Sequence, residues 1–333
     1  MQAHWRFWLA RIRDCGKTAV VRKRKGIAIF FLLAIVVSVA GLYLARPRGP
    51  MYQGRSLRSW LAQLDDGQHD NGLMWESWTE VIRRRTAKQN AAAEAIRQMG
   101  TNSLPYLVQA LTSRDSDQKI KIMLLLKKQS WIKVDISTAE EMRRPAALAL
   151  DILGPAAEPY VPQLTDALWD KTSVMGGGHT SKAAAIALGA VGPEGWAVLR
   201  ESLTRSNFST IYGTWALGSR RVTEPGAVEA LLAVVTNNIN ANGSEKALAA
   251  WSLGEIGQES ERVVPVLIAA LQSPDNDLRW SAADSLGKFG TNAQSSVPAL
   301  VKALQDPNAS VHNNALKSLK VIDPKTAESL ETK

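Results

Sequence analysis

Four histidines, one cysteine and a few acidic pairs are the residues here whose types could do chemistry. His4, His69, His179 and His312 are scattered, and no H-x-x-x-H, H-E-x-x-H or C-x-x-C spacing puts two ligands on one helical turn, so a zinc site is not expected. Cys15 is the single cysteine, which excludes an internal disulfide and a Cys-rich metal site. Asp14-Cys15-Gly16-Lys17-Thr18 ends like a phosphate-binding loop, but Arg11 stands where its first Gly must be and no strand precedes it. No G-x-S-x-G or G-x-G-x-x-G element sits on a strand-to-helix turn. Asp65-Asp66 and Glu140-Glu141 fall in polar stretches and read as solvated. His179 follows three glycines and reads as a loop histidine before it reads as a ligand or base. The residues point to a protein that is not an enzyme and needs no cofactor or metal.

The elements that carry these residues begin with a basic arm. Residues 1–58 hold 12 Lys/Arg against Asp14, whereas 59–333 hold 28 Lys/Arg against 30 Asp/Glu. The overall charge of +9 therefore belongs to the N-terminus, and no nucleic-acid partner is expected for the remainder. Gly26 to Ala45 is an uncharged apolar run of 20 residues, as long as a helix that crosses a bilayer. Ser38-Val39-Ala40 resembles a signal-peptide cleavage site, but the apolar run continues past it, so the reading is an uncleaved anchor. Eight basic residues before the run and four after it (Arg46, Arg48, Arg55, Arg58) place the N-terminus in the cytoplasm. The large domain then lies outside it, on a bacterial-type inner membrane. Trp5, Trp8, Leu9 and Ile12 form an i, i+3, i+4, i+7 stripe: either an interfacial helix on anionic lipid or a tail that only sets topology. Residues 1–25 are thus a cytoplasmic arm, 26–45 a membrane helix, 46–55 a linker and 56–333 a folded body. That body is expected to open on an amphipathic helix capped by Ser56 and to re-enter helix near Trp78, running to Gly100, with Arg83-Arg84-Arg85 on a solvated face.

That body is built from two alternating half-patterns. The segment [LV]-P-x-L-x-x-A-L starts at Leu104, Val161, Val264 and Val297, with degenerate copies at Trp196–Leu203 and Val228–Val235. Pro105, Pro162, Pro265 and Pro298 are expected in a first helical turn, where a missing N–H costs nothing. A second segment ends in Leu153-Gly154, Leu188-Gly189, Leu217-Gly218, Leu253-Gly254 and Leu286-Gly287, with Leu319-Lys320 as its relic. The leucines from 188 onward are spaced by 29, 36, 33 and 33, the signature of stacked helical hairpins. V-P-x-L-x-x-A-L, a polar turn and R-x-x-A-A-x-x-L-G resemble the HEAT repeat, in particular its short bacterial, phycobilisome lyase-type form, over roughly residues 90–323. The resemblance implies an all-α solenoid. It implies little about function, because such folds mostly present surfaces. A lyase-like or cofactor-handling protein and a nucleic-acid-binding solenoid are the alternatives it keeps open.

Two insertions break the rhythm, near 113–142 and 169–181. In the first, Lys119–Lys128 reads as an extra amphipathic helix and Trp131–Ile136 as an extended segment; the second is a Gly-rich loop. Each is either a binding element or tolerated loop growth. Aligning the second helices on Leu-Gly puts Ile186, Trp215, Trp251 and Asp284 three residues before the Gly, and Lys182, Ile211 and Trp280 seven before. HEAT folds line their concave side with second helices, so these residues are the candidate partner-binding face. The apolar ones form either an exposed groove with Trp anchors or, if the superhelix is tightly wound, part of the core. Trp60, Trp75, Trp78, Trp169 and Trp196 lack that alignment and are expected to pack. The expected function is a membrane-anchored scaffold that binds a protein or peptide, with membrane lipid contacted through the anchor.

Overall fold

The structure, a computed structural model, describes residues 49–65, 83–128, 137–170, 179–204, 208–224, 226–236 and 243–331. The chain divides into two units, Met1–Arg48 and Gly49–Lys333, and every described residue falls in the second. The expected arm and membrane helix, and the extended segment at 131–136, lie outside the described residues. Among those residues no helix is long and apolar enough to cross a membrane.

The second unit is an α-solenoid. It opens on a small hairpin, β1 (Met51–Tyr52) antiparallel to β2 (Arg55–Ser56), where a plain linker was expected. Gln53 and Gly54 turn it with φ of 50° and 72°, and Trp60 Nε1 donates to Tyr52 O at 3.2 Å. Ser56 caps α1 (Leu57–Leu64), as its position before the apolar periodicity predicts.

First helices are α3 (Leu104–Thr112), α6 (Val161–Leu168), α8 (Pro193–Ser202), α10 (Ala227–Thr236), α12 (Ser260–Ala270) and α14 (Val297–Ala303). Their partners, the second helices, are α5 (Ala139–Leu153), α7 (His179–Val191), α9 (Phe208–Ser219), α11 (Gly243–Ile256), α13 (Asn276–Lys288) and α15 (Ala309–Ile322). Helix α2 (Ala87–Met99) pairs with α1, α4 (Asp117–Lys128) is the inserted helix, and α16 (Pro324–Glu331) packs on α15 at the end. Second helices pack extensively on one another in sequence, whereas first helices touch each other only lightly. The core is the continuous layer between the two rows, rich in fully buried Ala and Leu such as Ala184, Leu188, Ala249, Ala282 and Leu286.

Three local expectations are corrected. Pro105, Pro162 and Pro298 do sit in first turns, but Pro265 lies in the middle of α12, which starts a turn earlier at Ser260. Pro265 faces solvent, so water can satisfy the carbonyl its ring leaves unbonded. The helix expected to run through to Gly100 restarts at Ala87, where Thr86 and Gln89 form a capping box. Finally, of the Leu-Gly glycines only Gly154 ends its helix as a C-cap, at φ 56°; Gly189, Gly218, Gly254 and Gly287 lie inside theirs.

Candidate protein-docking face

The glycines inside the second helices explain how closely those helices approach. A Cβ on Gly218 would stand 2.6 Å from Ser252 Cα, one on Gly254 2.6 Å from Ser285 Cβ, and one on Gly287 3.0 Å from Ser318 Cβ. Each serine comes from the next second helix, is fully buried or nearly so, and donates to a carbonyl of the preceding one. Ser252 Oγ reaches Thr214 O at 3.0 Å, Ser285 Oγ reaches Ala250 O at 2.9 Å, and Ser318 Oγ reaches Ala283 O at 2.7 Å. The motif is therefore Ser-Leu-Gly: the Gly is a notch and the Ser of the following repeat fills it. Lys320, in the Gly place of α15, is exposed.

At the other end of the array the notch is used differently. Gly189 leaves room for Arg220, whose Nε would lie 2.6 Å from a Cβ there. Arg220 Nη2 donates to Ile186 O at 3.1 Å and pairs with Asp151, which Arg85 approaches at 3.8 Å. The three side chains are 5 to 15% exposed, so this is a buried ionic node joining α5, α7 and α9. Burial pushes the Arg85 guanidinium below its ordinary pKa, against the pull of Asp151. Arg85 was expected on a solvated face with Arg83 and Arg84. It is instead a structural cation.

This close stacking decides the fate of the predicted face. Ile186 and Trp215 are 5% exposed and Trp251 is 2% exposed. These three belong to the core, and the exposed apolar stripe across consecutive repeats is corrected to a polar surface over buried apolar side chains. Trp251 shows the cause: the next second helix lies near enough for Lys288 Nζ to sit 5.4 Å from the indole centroid. Lys182, Ile211, Trp280 and Asp284 remain partly accessible, with Ile211 and Trp280 packed against the core edge. Trp60 is buried, and Trp169 and Trp196 are half-buried against the core, while Trp75 and Trp78 lie outside the described residues.

What reaches the surface is a chain of alternating charges. Arg221 of the α9 end meets Glu255 of α11 at 3.3 Å, and Lys288 of α13 meets the other Glu255 oxygen at 2.9 Å. Lys288 also meets Asp284 at 2.8 Å, and Lys317 of α15 reaches Asp284 at 3.3 Å. Burial would raise the Asp284 pKa, but Lys288 and then Lys317 outweigh it and hold the carboxyl below its usual range. Arg279 of α13 and Asp306, in the turn between α14 and α15, make a similar link between successive repeats through two bonds of 2.7 and 3.0 Å. That hydrogen-bonded pair lowers the Asp306 pKa and raises that of Arg279.

At its N-terminal end the face opens into a cleft of about 640 Å³ between α1, the first half of α5 and α7. Lys182 and Ile186 line it together with Leu61, Asp65, Glu140, Glu141, Arg143 and Arg144. Glu141 is not merely solvated: it accepts from Thr138 N at 2.9 Å and closes a capping box at the head of α5. The signals Thr138-x-x-Glu141 and Thr86-x-x-Gln89 were both present in the sequence. His312 Nδ1 lies 2.6 Å from Leu304 O and is tied up within its repeat, whereas the His179 side chain lies outside what is described. Among the described residues no group of three His, Cys, Asp or Glu is placed to hold a metal.

Residues 228–320 match the family model described as HEAT repeats. Among solved structures, the chain is similar to an engineered protein at 22% identity and a TM-score of 0.42, covering 67% of this chain and 97% of that one. It is also similar to human deoxyhypusine hydroxylase in complex with glycerol, at 17% identity and a TM-score of 0.32, covering 81% and 96% respectively. At those scores neither likeness carries any statement about function. No curated protein sequence matches the chain.

Proposed function

We propose that this protein is a non-catalytic, single-pass membrane scaffold that holds a protein or peptide on an extracytoplasmic solenoid. The observation that supports this most is the continuous face made by successive second helices. Arg221, Glu255, Lys288, Asp284 and Lys317 line it with alternating charge, and Trp280 is half-exposed beside them. Such a face offers paired charges over a rigid core, which suits a polypeptide of mixed charge better than a phosphate backbone. The apolar run Gly26–Ala45 and the basic arm before it support the anchor and its orientation.

A photo-crosslinking residue at Lys317 or Lys182 in the full chain, in native membranes, tests the docking face. Glu261, exposed on a first helix, is the control. Polypeptide adducts formed at 317 and 182 but not at 261 are expected. Equal labelling at all three positions, or adducts with nucleic acid, would overturn the reading. A reporter fused after Lys333 tests topology, and activity of a cytoplasmic-only reporter would reverse the proposed orientation.

A further inference from the structure

A second, smaller pocket of about 310 Å³ lies where α3 and α6 end and α7 begins. Thr112 and Arg114 line it from the α3 end, Asp166 and Asp170 from the α6 end, and Thr180 from the first turn of α7. Thr180 is 3% exposed, and its Oγ1 is buried without a hydrogen-bond partner. It stands nine residues before the Gly place of its helix, where Ser209, Glu245, Leu278 and Val311 stand in the later second helices. All five are buried, so this is a core position from α7 onward. The two most regular repeats fill it with an apolar side chain, and Ser209 and Glu245 each have an interaction partner. Thr180 instead sets an unsatisfied hydroxyl beside a cavity. A buried polar group left so costs stability unless something outside the chain completes it.

The charge of the pocket identifies what that is. Two carboxylates and one guanidinium line it, and Arg114 is already paired with Asp170. Asp166 is exposed and makes no ion pair among the described residues. Thr112 donates its proton to Val108 O at 2.9 Å, so its hydroxyl offers only lone pairs to a ligand. The ends of α3 and α6 add the partial negative charge of two helix C-termini, against the one N-terminus of α7. Acceptors therefore outnumber donors, and the group that fits is a cation rich in N–H. Among the described residues no third carboxylate or histidine joins Asp166 and Asp170 to hold a metal. Acceptors from three helix ends surround a tetrahedral ammonium better than a planar guanidinium. The volume is at the small end of ligand sites and takes one such group on an alkyl chain.

We infer that this pocket binds a primary ammonium group, with Asp166 as its counter-ion and the Thr112 and Thr180 hydroxyls as further acceptors. The site is independent of the proposed anchor and of the second-helix face. Saturation-transfer difference NMR on the full chain in detergent micelles tests it, with Nα-acetyl-lysine methylamide as the probe. Saturation of the probe's ε-methylene is expected, and none is expected for the Nα,Nε-diacetyl compound, which lacks the charge. Asp166→Asn should weaken binding about fivefold or more. Thr180→Val should also weaken it, and should raise the melting temperature by about 2 °C because an unsatisfied hydroxyl is replaced by the residue type of Val311. Full affinity in either variant overturns the inference. Equal saturation of the two compounds does so too, as does displacement of the probe by an equal concentration of calcium chloride. A lower melting temperature for Thr180→Val also overturns it, since the hydroxyl would then be held by the fold itself. Propylammonium chloride separates two sources of the same group: competition as strong as the probe's indicates a free amine, and weaker competition a lysine side chain.

Discussion

The two halves of the solenoid join their second helices by different means. In the C-terminal half, α9, α11, α13 and α15 are keyed by a serine seated in the preceding glycine notch: Ser252 over Gly218, Ser285 over Gly254, Ser318 over Gly287. In the N-terminal half, α5, α7 and α9 are joined by one long arginine, Arg220, threaded past Gly189 to Asp151. The short key is neutral and repeats along the array, so it permits regular stacking. The long one spans three helices and depends on a buried charge that Arg85 and Arg220 share. A notch of the same residue type thus serves either a neutral contact that can be iterated or a single ionic clasp beside the irregular, inserted region.

The largest effect should come from breaking the clasp. Asp151→Ala leaves two buried cations facing each other and should cost about 3 kcal/mol in urea denaturation. Filling a neutral notch should come next. Gly218→Ala would gain about 1 kcal/mol in an exposed helix. Here the added methyl meets the Ser252 backbone, and the net result should be a loss of about 2 kcal/mol.

Acid sharpens the same comparison. The folded pKa of Asp284 is depressed, so its contribution is complete above the unfolded carboxylate value of about 4 and disappears as pH falls through the folded value. Asp306 behaves in the same sense. The denaturation midpoint should therefore fall below about pH 4, and Asp284→Asn should flatten that fall. Lys317→Ala, which removes a charge that is 71% exposed, should change stability by less than about 0.5 kcal/mol.

The hairpin order, the position of most helices and the inserted helix at 119–128 were legible because apolar period and proline placement report helix faces directly. The depth of each face was not. Trp215 and Trp251 fall on the expected stripe, but whether a stripe is groove or core depends on how near the next helix comes, and periodicity within one helix says nothing of that distance. The relevant signal was in the sequence across repeats: Ser252, Ser285 and Ser318 each precede a Leu, and the glycines they fill lie one repeat earlier. Reading Leu-Gly as a helix end hid it, since glycine more often stops a helix than notches one. Arg85 was hidden for a different reason. Its partner Asp151 is far off in sequence, and a run of three arginines reads as solvated until a buried carboxylate is found beneath one of them.

The most direct measurement is a double-mutant cycle on the last neutral notch. Gly287→Ala adds a methyl 3.0 Å from Ser318 Cβ, and Ser318→Gly removes the atoms it would meet while losing the bond to Ala283 O. If seated serines set the spacing of the second helices, the double variant should be less destabilised than the sum of the two single variants, by about 1 kcal/mol or more. Losses that add to within about 0.5 kcal/mol would contradict it.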